Sequence, residues 1–398
     1  MPDLPTYEDS LHRSLRDVDP LAELEDIGLD AADGRVLAES IVADRDQPPF
    51  DRSAMDGYAI RSADLSEDAV YPVVGTIAAG RPATVDVPPG SCVAIATGAV
   101  VPSPLDLVVP HERSDRCDPV RLDARGLAAG YAIHPRGADA AEGSELVRAG
   151  ERLSPVHLAL AATVGQDRVR VRRQPRIRVL TSGDEIVAPD VDPLDHQVRN
   201  GNAPMLQSLV ERIGARWLGH AHVLDDPDIV RATLEHAIDD ADVVVTAGGI
   251  SAGDRDFLPD TIDALGGETR VAGAAIQPGK PVRIQRLPSG VMIVSLPGNP
   301  VSVLATACLY LWPLVRTMLG RTTPLPWRPV ELAADIRANP KRQLFRPARI
   351  DATGMAAVPV WQGSGDLSHA ASTDGLVALP RQSDPVPTGR PVPFLPWP

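Results

Sequence analysis

Asp242-Val243-Val244-Val245-Thr246-Ala247-Gly248-Gly249-Ile250-Ser251-Ala252-Gly253-Asp254-Arg255-Asp256 is the stretch from which the fold of this chain is read. Val243, Val244 and Val245 form a β-branched run that suits a strand buried on both faces. The chain then enters a loop with glycines at 248, 249 and 253. A glycine-rich turn leaving a buried strand exposes backbone N–H groups, and such nests bind anions. Ser251, Asp254 and Asp256 add a hydroxyl and two carboxylates, the ligand type of a hard cation. A surface turn whose aspartates cap the next helix accounts for the same residues, so the surroundings must decide.

Residues 175–326 alternate between strand and helix patterns. Arg176–Leu180 reads as a strand that ends in Thr181-Ser182-Gly183-Asp184-Glu185. Ala203–Ile213 carries Leu206, Leu209, Val210 and Ile213 on one helical face. Ala215–Val223 reads as a strand, and Asp225-Asp226-Pro227 opens a helix with acidic residues at its positive end. Val271–Ile276 and Pro281–Gln285 are expected strands around Gln277-Pro278-Gly279-Lys280. Val291–Ser295 is another, ending in Leu296-Pro297-Gly298-Asn299-Pro300, and an apolar helix follows from Val301 to Leu319. Such alternation predicts parallel βαβ units, with ligands outside the carboxyl ends of the strands. The loops Thr181–Glu185, Gly248–Asp256 and Leu296–Pro300 then share one sheet edge. Three convergent loops favour a binding crevice over an isolated capped turn.

Outside this region the chain is mostly β. Residues 6–38 are the exception and are expected to be helical, with Tyr7, Leu11 and Leu15 at helical spacing and Leu21, Leu24 and Ile27 following Pro20. Pro48-Pro49 excludes regular structure at the start of the segment Gln47–Tyr58, where Asp56-Gly57 is a turn dipeptide. Residues 58–146 read as short strands of a small β domain that contains Thr97-Gly98-Ala99. Ser154-Pro155 opens a helix that Gly165 ends. The basic residues of 168–178 are expected to form a solvated linker. Residues 327–398 lack a helical period and predict a small β barrel or sandwich, with Arg346 and Gln362-Gly363-Ser364 as polar positions suited to a ligand. The implied boundaries are 1–46 with 147–174, then 47–146, 175–326 and 327–398.

Composition narrows the function. The 398 residues carry a net charge of −14, which disfavours a nucleic-acid surface. Cys92, Cys117 and Cys308 are widely spaced, so neither a structural zinc nor a disulfide framework is expected. The start of the chain lacks a signal-peptide pattern, and no uninterrupted apolar run reaches the ~18 residues of a membrane span. A soluble, cytoplasmic protein without membrane contact is expected. His220 and His222 share one strand face but lack a third clustered ligand, so they read as ordinary sheet histidines. The acidic residues of 235–242 read as a solvated helix end.

Taken together, six stretches resemble the MoeA family of molybdopterin molybdenumtransferases, to which the gephyrin E domain is related. They are Ser53-Ala54-Met55-Asp56-Gly57-Tyr58-Ala59, Ile95-Ala96-Thr97-Gly98-Ala99, Ser182-Gly183-Asp184-Glu185, Gly248-Gly249-Ile250-Ser251-Ala252-Gly253-Asp254, Pro278-Gly279-Lys280-Pro281 and Leu296-Pro297-Gly298-Asn299-Pro300. The resemblance implies a multidomain subunit: an elongated N-terminal region, a small β domain, a MogA-like parallel α/β domain and a C-terminal β barrel. It implies a homodimer whose sites lie at the subunit interface. The implied reaction inserts molybdenum from molybdate into adenylylated molybdopterin with Mg2+ assistance, hydrolysing the AMP anhydride and releasing molybdenum cofactor and AMP. A MogA-type adenylyltransferase and molybdoenzyme maturation proteins are the implied partners.

By resemblance, Asp56, Glu185, Asp256 and Lys280 are the catalytic candidates. Thr97, Gly183, Asn202, Gly248, Gly249, Ser251, Pro297, Gly298, Pro300, Arg346 and Ser364 would bind substrate. Glu185, Asp225, Asp254 and Asp256 would carry the cation, directly or through waters. Asp56 and Thr97 would come from the second subunit. The chain departs from the family pattern at Gly273 and Gln277, where lysines are usual, and at Asn200, where an aspartate is usual. Pro104 also stands in place of a usual glycine. These departures set an active enzyme against a non-catalytic molybdopterin-binding scaffold; a molybdopterin adenylyltransferase is a third reading, which the extra terminal domains oppose.

Overall fold

The computed structural model describes residues 4–67, 69–224, 226–249, 257–321, 323–360 and 362–398. The strands β1 (Arg176–Ser182), β2 (Arg216–Val223), β3 (Val243–Ala247), β4 (Glu268–Ala272), β5 (Arg283–Arg286) and β6 (Met292–Leu296) form one sheet, in the order β2-β1-β3-β6-β5-β4. β2, β1, β3 and β6 run parallel. Helices α1 (Asn202–Arg212), α2 (Pro227–Ile238) and α3 (Leu258–Ala264) supply crossovers and cover. Val243 and Val245 face one hydrophobic layer with Ile177, Leu206 and Val303, whereas Val244 faces the other with Leu180, Leu234 and Ile262. All three valines are fully buried, as a two-faced strand requires.

The far edge of the sheet departs from the parallel order of the βαβ units. β5 is antiparallel to β6, and β4 is antiparallel to β5. The reason is connection length. Between β5 and β6 the chain turns with Gly290 N–H donating to Leu287 O at 2.9 Å, which leaves no room for a crossover helix.

After β6 the chain runs helical from Pro300 to Met318, through a π-helical stretch at Ala307–Leu311. This 19-residue helix has the length and apolarity of a membrane span, but 89% of its most apolar window is buried inside the protein. It is the central helix of the core. Tyr310 on it stacks edge-on with Tyr7, with ring centroids 5.8 Å apart, and Tyr7 meets Phe345 at 5.1 Å.

The N-terminal helix is shorter than expected. It spans Tyr7–Leu15, capped by Thr6, whose hydroxyl accepts from Asp9 N–H. Leu24–Gly28 is a strand instead. Beyond Leu15 the main chain bonds to distant segments: Leu21 N–H to Met318 O at 2.7 Å, and Arg173 N–H to Glu23 O at 3.1 Å. Those long-range partners override the local period.

The basic run 168–178 is likewise not a solvated linker. It contributes the strands Arg168–Arg172 and β1. Arg173 donates to both oxygens of Asp242, at 2.7 and 3.1 Å, and Arg176 N–H donates to the same carboxylate at 2.7 Å. Burial opposes ionisation of Asp242, but these donors outweigh it and hold the carboxyl below its ordinary range. Asp242 is therefore tied into the start of the sheet rather than being part of a solvated helix end.

In residues 327–398, the strands Gln343–Ile350, Gly375–Leu379, Pro391–Pro396 and Arg328–Glu331 are hydrogen-bonded in that order, and Ile276–Gln277 joins beside the first. Ala356–Ala357 pairs with Arg349 and Ile350, and a bridge from Leu332 to Ala356 closes the ring into a barrel. Leu344, Val377, Leu379 and Phe394 fill it. One helical turn, Leu367–Ala370, was not expected, because four residues are too short to show a period; Asp366 caps it.

Glu39–Ala149 and Ser154–Val169 form a separate compact unit. Its sheet has the order Val73–Ile77, Cys92–Ile95, Gly57–Ile60, Leu107–Pro110. Apolar clusters cover both faces, Ala59, Val93 and Val108 on one and Tyr58, Cys92 and Val109 on the other. The helix Pro155–Thr163 begins at Ser154-Pro155 as expected.

Candidate functional site

β1, β3 and β6 are adjacent in the sheet and end at the same edge. Their loops surround a crevice of about 660 Å³. Of the residues expected at the site, Gly183, Glu185, Asn202, Gly248, Gly249, Pro297, Gly298 and Pro300 line it. Thr181 and Asn299, from the loops expected to converge, line it too, as do Asn200, Pro281, Arg199 and Gly365, of which the sequence reading had not singled out Arg199 or Gly365. Ser251, Asp225, Asp254 and Asp256 lie outside the described residues.

The backbone sets the character of the crevice. Gly248 is in the left-handed region, at φ 99°, and its N–H is committed to Leu296 O at 3.1 Å. Gly183, Gly249 and Gly298 have N–H groups that meet no acceptor among the described residues. Unpaired N–H groups on a crevice wall are donors for an anionic ligand. The Glu185 carboxylate lies over Gly183, where an added Cβ would fall 2.7 Å from Glu185 Oε2.

Side chains then lock the loops together. Asn202 donates through Nδ2 to Gly298 O at 2.8 Å, while its Oδ1 is buried with no partner among the described residues. Asn299 donates to Ser364 Oγ at 2.8 Å, and Val301 N–H donates to Ser364 O. Ser364 thus braces the Pro-Gly-Asn-Pro loop. Arg199 brings a cation to the crevice, partly offset by Asp192 at 3.0 Å.

Asn200 makes use of being an amide. Its Oδ1 accepts from Ala203 N–H at 3.0 Å, and its Nδ2 donates to Thr181 Oγ1 at 2.9 Å. The same hydroxyl meets His220 Nε2 at 2.8 Å and His222 Nδ1 at 3.2 Å. A hydroxyl has one proton, so with Asn200 donating, one imidazole must accept from Thr181 and the other donate. Burial and then the neighbouring His222 push the His220 pKa down. Asn200→Asp would replace the donor with an acceptor, take the Thr181 proton and require both imidazoles to donate. His220 should then titrate at higher pH, read by NMR of its ring nitrogens. An unchanged titration would refute this network.

Lys280 and Arg346 are not among the lining residues. Lys280 is exposed at its turn, next to the lining residue Pro281. Arg346 is half-buried on the barrel strand opposite Val377, and burial lowers its pKa. Gln277, at a position where the resemblance implies a lysine, accepts from Asn339 Nδ2 at 2.8 Å. Asp56 and Thr97 are brought together in the other compact unit. Thr97 N–H donates to Asp56 Oδ1 at 2.7 Å, and that bond holds the Asp56 carboxyl below its ordinary range.

Known proteins are similar to this chain along almost its whole length. Residues 5–165 match the MoeA N-terminal region (domain I and II), 178–317 a probable molybdopterin binding domain, and 329–397 the MoeA C-terminal region (domain IV). The molybdopterin molybdenumtransferase of Synechocystis sp. is 32% identical over 380 residues, covering 93% of this chain and 94% of the relative. The molybdopterin molybdenumtransferase 2 of Mycobacterium tuberculosis is 32% identical over 376 residues, 91% and 92% of the two chains. A crystal structure of the molybdopterin biosynthesis MoeA protein of Pyrococcus horikoshii superposes with a TM-score of 0.86 at 27% identity, covering 99% of this chain and all of that one. With near-complete coverage of both chains at this identity, the chain belongs to the MoeA family, the molybdopterin molybdenumtransferases.

Proposed function

We propose that the chain inserts molybdenum from molybdate into adenylylated molybdopterin, hydrolysing the AMP anhydride and releasing molybdenum cofactor and AMP. The observation that carries this reading is the set of N–H groups at Gly183, Gly249 and Gly298 around one crevice, which meet no acceptor among the described residues. Those donors suit phosphate oxygens. Asn202 Oδ1 is placed to accept from a substrate N–H or O–H. Arg199, and Lys280 at its exposed turn, would add positive charge for the anionic substrates.

Among the described residues no cluster of three or more metal-ligating side chains occurs. Magnesium usually takes one or two carboxylates together with substrate phosphates and waters, which Glu185 fits. Asp225, Asp254 and Asp256 complete the proposed ligand set by sequence. When bound, the cation would withdraw charge from the phosphate oxygens. Asp56 and Thr97 are proposed to serve the crevice of the second subunit in a homodimer. A cytoplasmic location and supply of the nucleotide by a MogA-type adenylyltransferase belong to the same proposal.

The test is molybdate-dependent AMP release by the purified protein with Mg2+. Glu185→Gln and Asp256→Ala are each expected to lower the rate by about 100-fold or more, the scale of losing a charge-stabilising group. Equal rates in variants and wild type would remove these residues from the site. Binding of the pterin nucleotide with no AMP release by wild type would favour a scaffold instead.

A further inference from the structure

We infer that Arg152, Arg172, Arg316 and Arg321 form a binding site for a small tetrahedral oxyanion, separate from the crevice. The helix that starts at Pro300 on the crevice wall ends at Met318, and ~28 Å of helix lies between those ends. Arg316 is in its last turn, and Arg321 N–H donates back to Arg316 O at 3.0 Å. Arg152 bridges to Val36, and Arg172 N–H donates to Val36 O at 2.9 Å, so both flank one strand residue. The Arg172 side chain then crosses Gly320, where an added Cβ would lie 2.6 Å from its Nε.

What sets this cluster apart is where its hydrogen bonds go. Arg152 Nε donates to Gly34 O, Arg172 Nη1 to Leu21 O, and Arg316 Nη2 to Thr323 Oγ1 and Pro324 O, at 2.8–3.1 Å. Arg321 Nε is buried with no partner among the described residues. These acceptors are neutral oxygens, so none of these hydrogen bonds neutralises a guanidinium charge. Neighbouring Arg35 is different, since it pairs with Glu25.

The charges sense one another. Burial, then the charge of Arg321, lowers Arg316 to about 10. Burial, then Arg152, lowers Arg321, with Glu151 opposing. Glu151 sets one negative charge against the group, and the remaining excess of like charge is unfavourable unless an anion completes the set. The chain is not basic enough for this to be incidental, because its net charge is −14. Arg316 is 5% exposed and Arg172 and Arg321 are half-buried, with Arg152 exposed beside them, so three of the four donors are set back where a small ion reaches them more readily than a peptide chain. Guanidinium forks match tetrahedral oxyanions such as phosphate, sulfate and molybdate.

The test is calorimetric titration of the full-length protein with sodium phosphate, sulfate and molybdate, against sodium chloride at matched ionic strength. Wild type should bind one more equivalent of oxyanion than Arg321→Gln, or bind it at least tenfold more tightly. Arg152→Gln should weaken binding in the same direction. Without oxyanion, Arg321→Gln should melt no lower than wild type, since it removes one of several like charges. Equal binding by wild type and both variants, or an equal response to chloride, would overturn the site. Phosphate and sulfate without molybdate would identify a phosphate-type ligand; molybdate binding would make the cluster a second port for that anion.

Discussion

Gly248→Ala is expected to lower molybdate-dependent AMP release about 100-fold or more while leaving a folded protein. The glycine is at φ 99°, and a Cβ would lie 2.9 Å from Ser182 O and 3.0 Å from Ser182 Oγ. The first of those is backbone, so relief requires the ends of β1 and β3 to separate. Strain of this kind costs about 1–3 kcal/mol, a modest part of stability. The loops displaced are those that carry Gly183, Glu185 and Gly249, however, and a shift of about 1 Å in positioning groups can cost ~100-fold in rate. Gly290→Ala is the control. It is also left-handed, at φ 92°, but an added Cβ there meets nothing within 4 Å. It should lose some stability and keep its activity. Equal rates for Gly248→Ala and wild type would show that the β1–β3 spacing does not position the reacting groups.

Phe345→Ala should have the largest effect on stability, about 3–5 kcal/mol by urea unfolding. Phe345 is fully buried, meets the Tyr7 ring edge-on at 5.1 Å and faces Trp327 at 6.5 Å. It thereby joins the N-terminal helix and the barrel to the central core around Tyr310. Phe345→Leu, which keeps most of the volume, should cost less than about 1.5 kcal/mol. A loss below ~1 kcal/mol for the alanine variant would mean that this contact does not hold the segments together.

The crevice was legible in the sequence because its signals are local. A valine run, a glycine pair and a Pro-Gly-Asn-Pro turn each dictate backbone conformation within a few residues, and parallel alternation puts their loops on one edge. The side chains that tune the crevice were less legible. Arg199 sits among exposed residues without a pattern, and Thr181 matters through His220 and His222, about 40 residues away. Asn200 looked like a lost carboxylate until its amide was seen to cap a helix and hold Thr181 at once.

By itself the sequence determined which segments are buried strands, where the glycine loops fall, where Ser154-Pro155 starts a helix, and which family the motifs resemble. These depend on residue type and short-range sterics. Only the tertiary structure decided that the first helix stops at Leu15, that β4 and β5 turn antiparallel, that Arg173 is tied to Asp242, and that the Arg172 side chain crosses Gly320. Each is set by partners distant in the chain, as when Tyr7 OH donates to Leu309 O across 302 positions. Hydrogen-bond and charge complementarity at that range leave no periodic trace in the sequence.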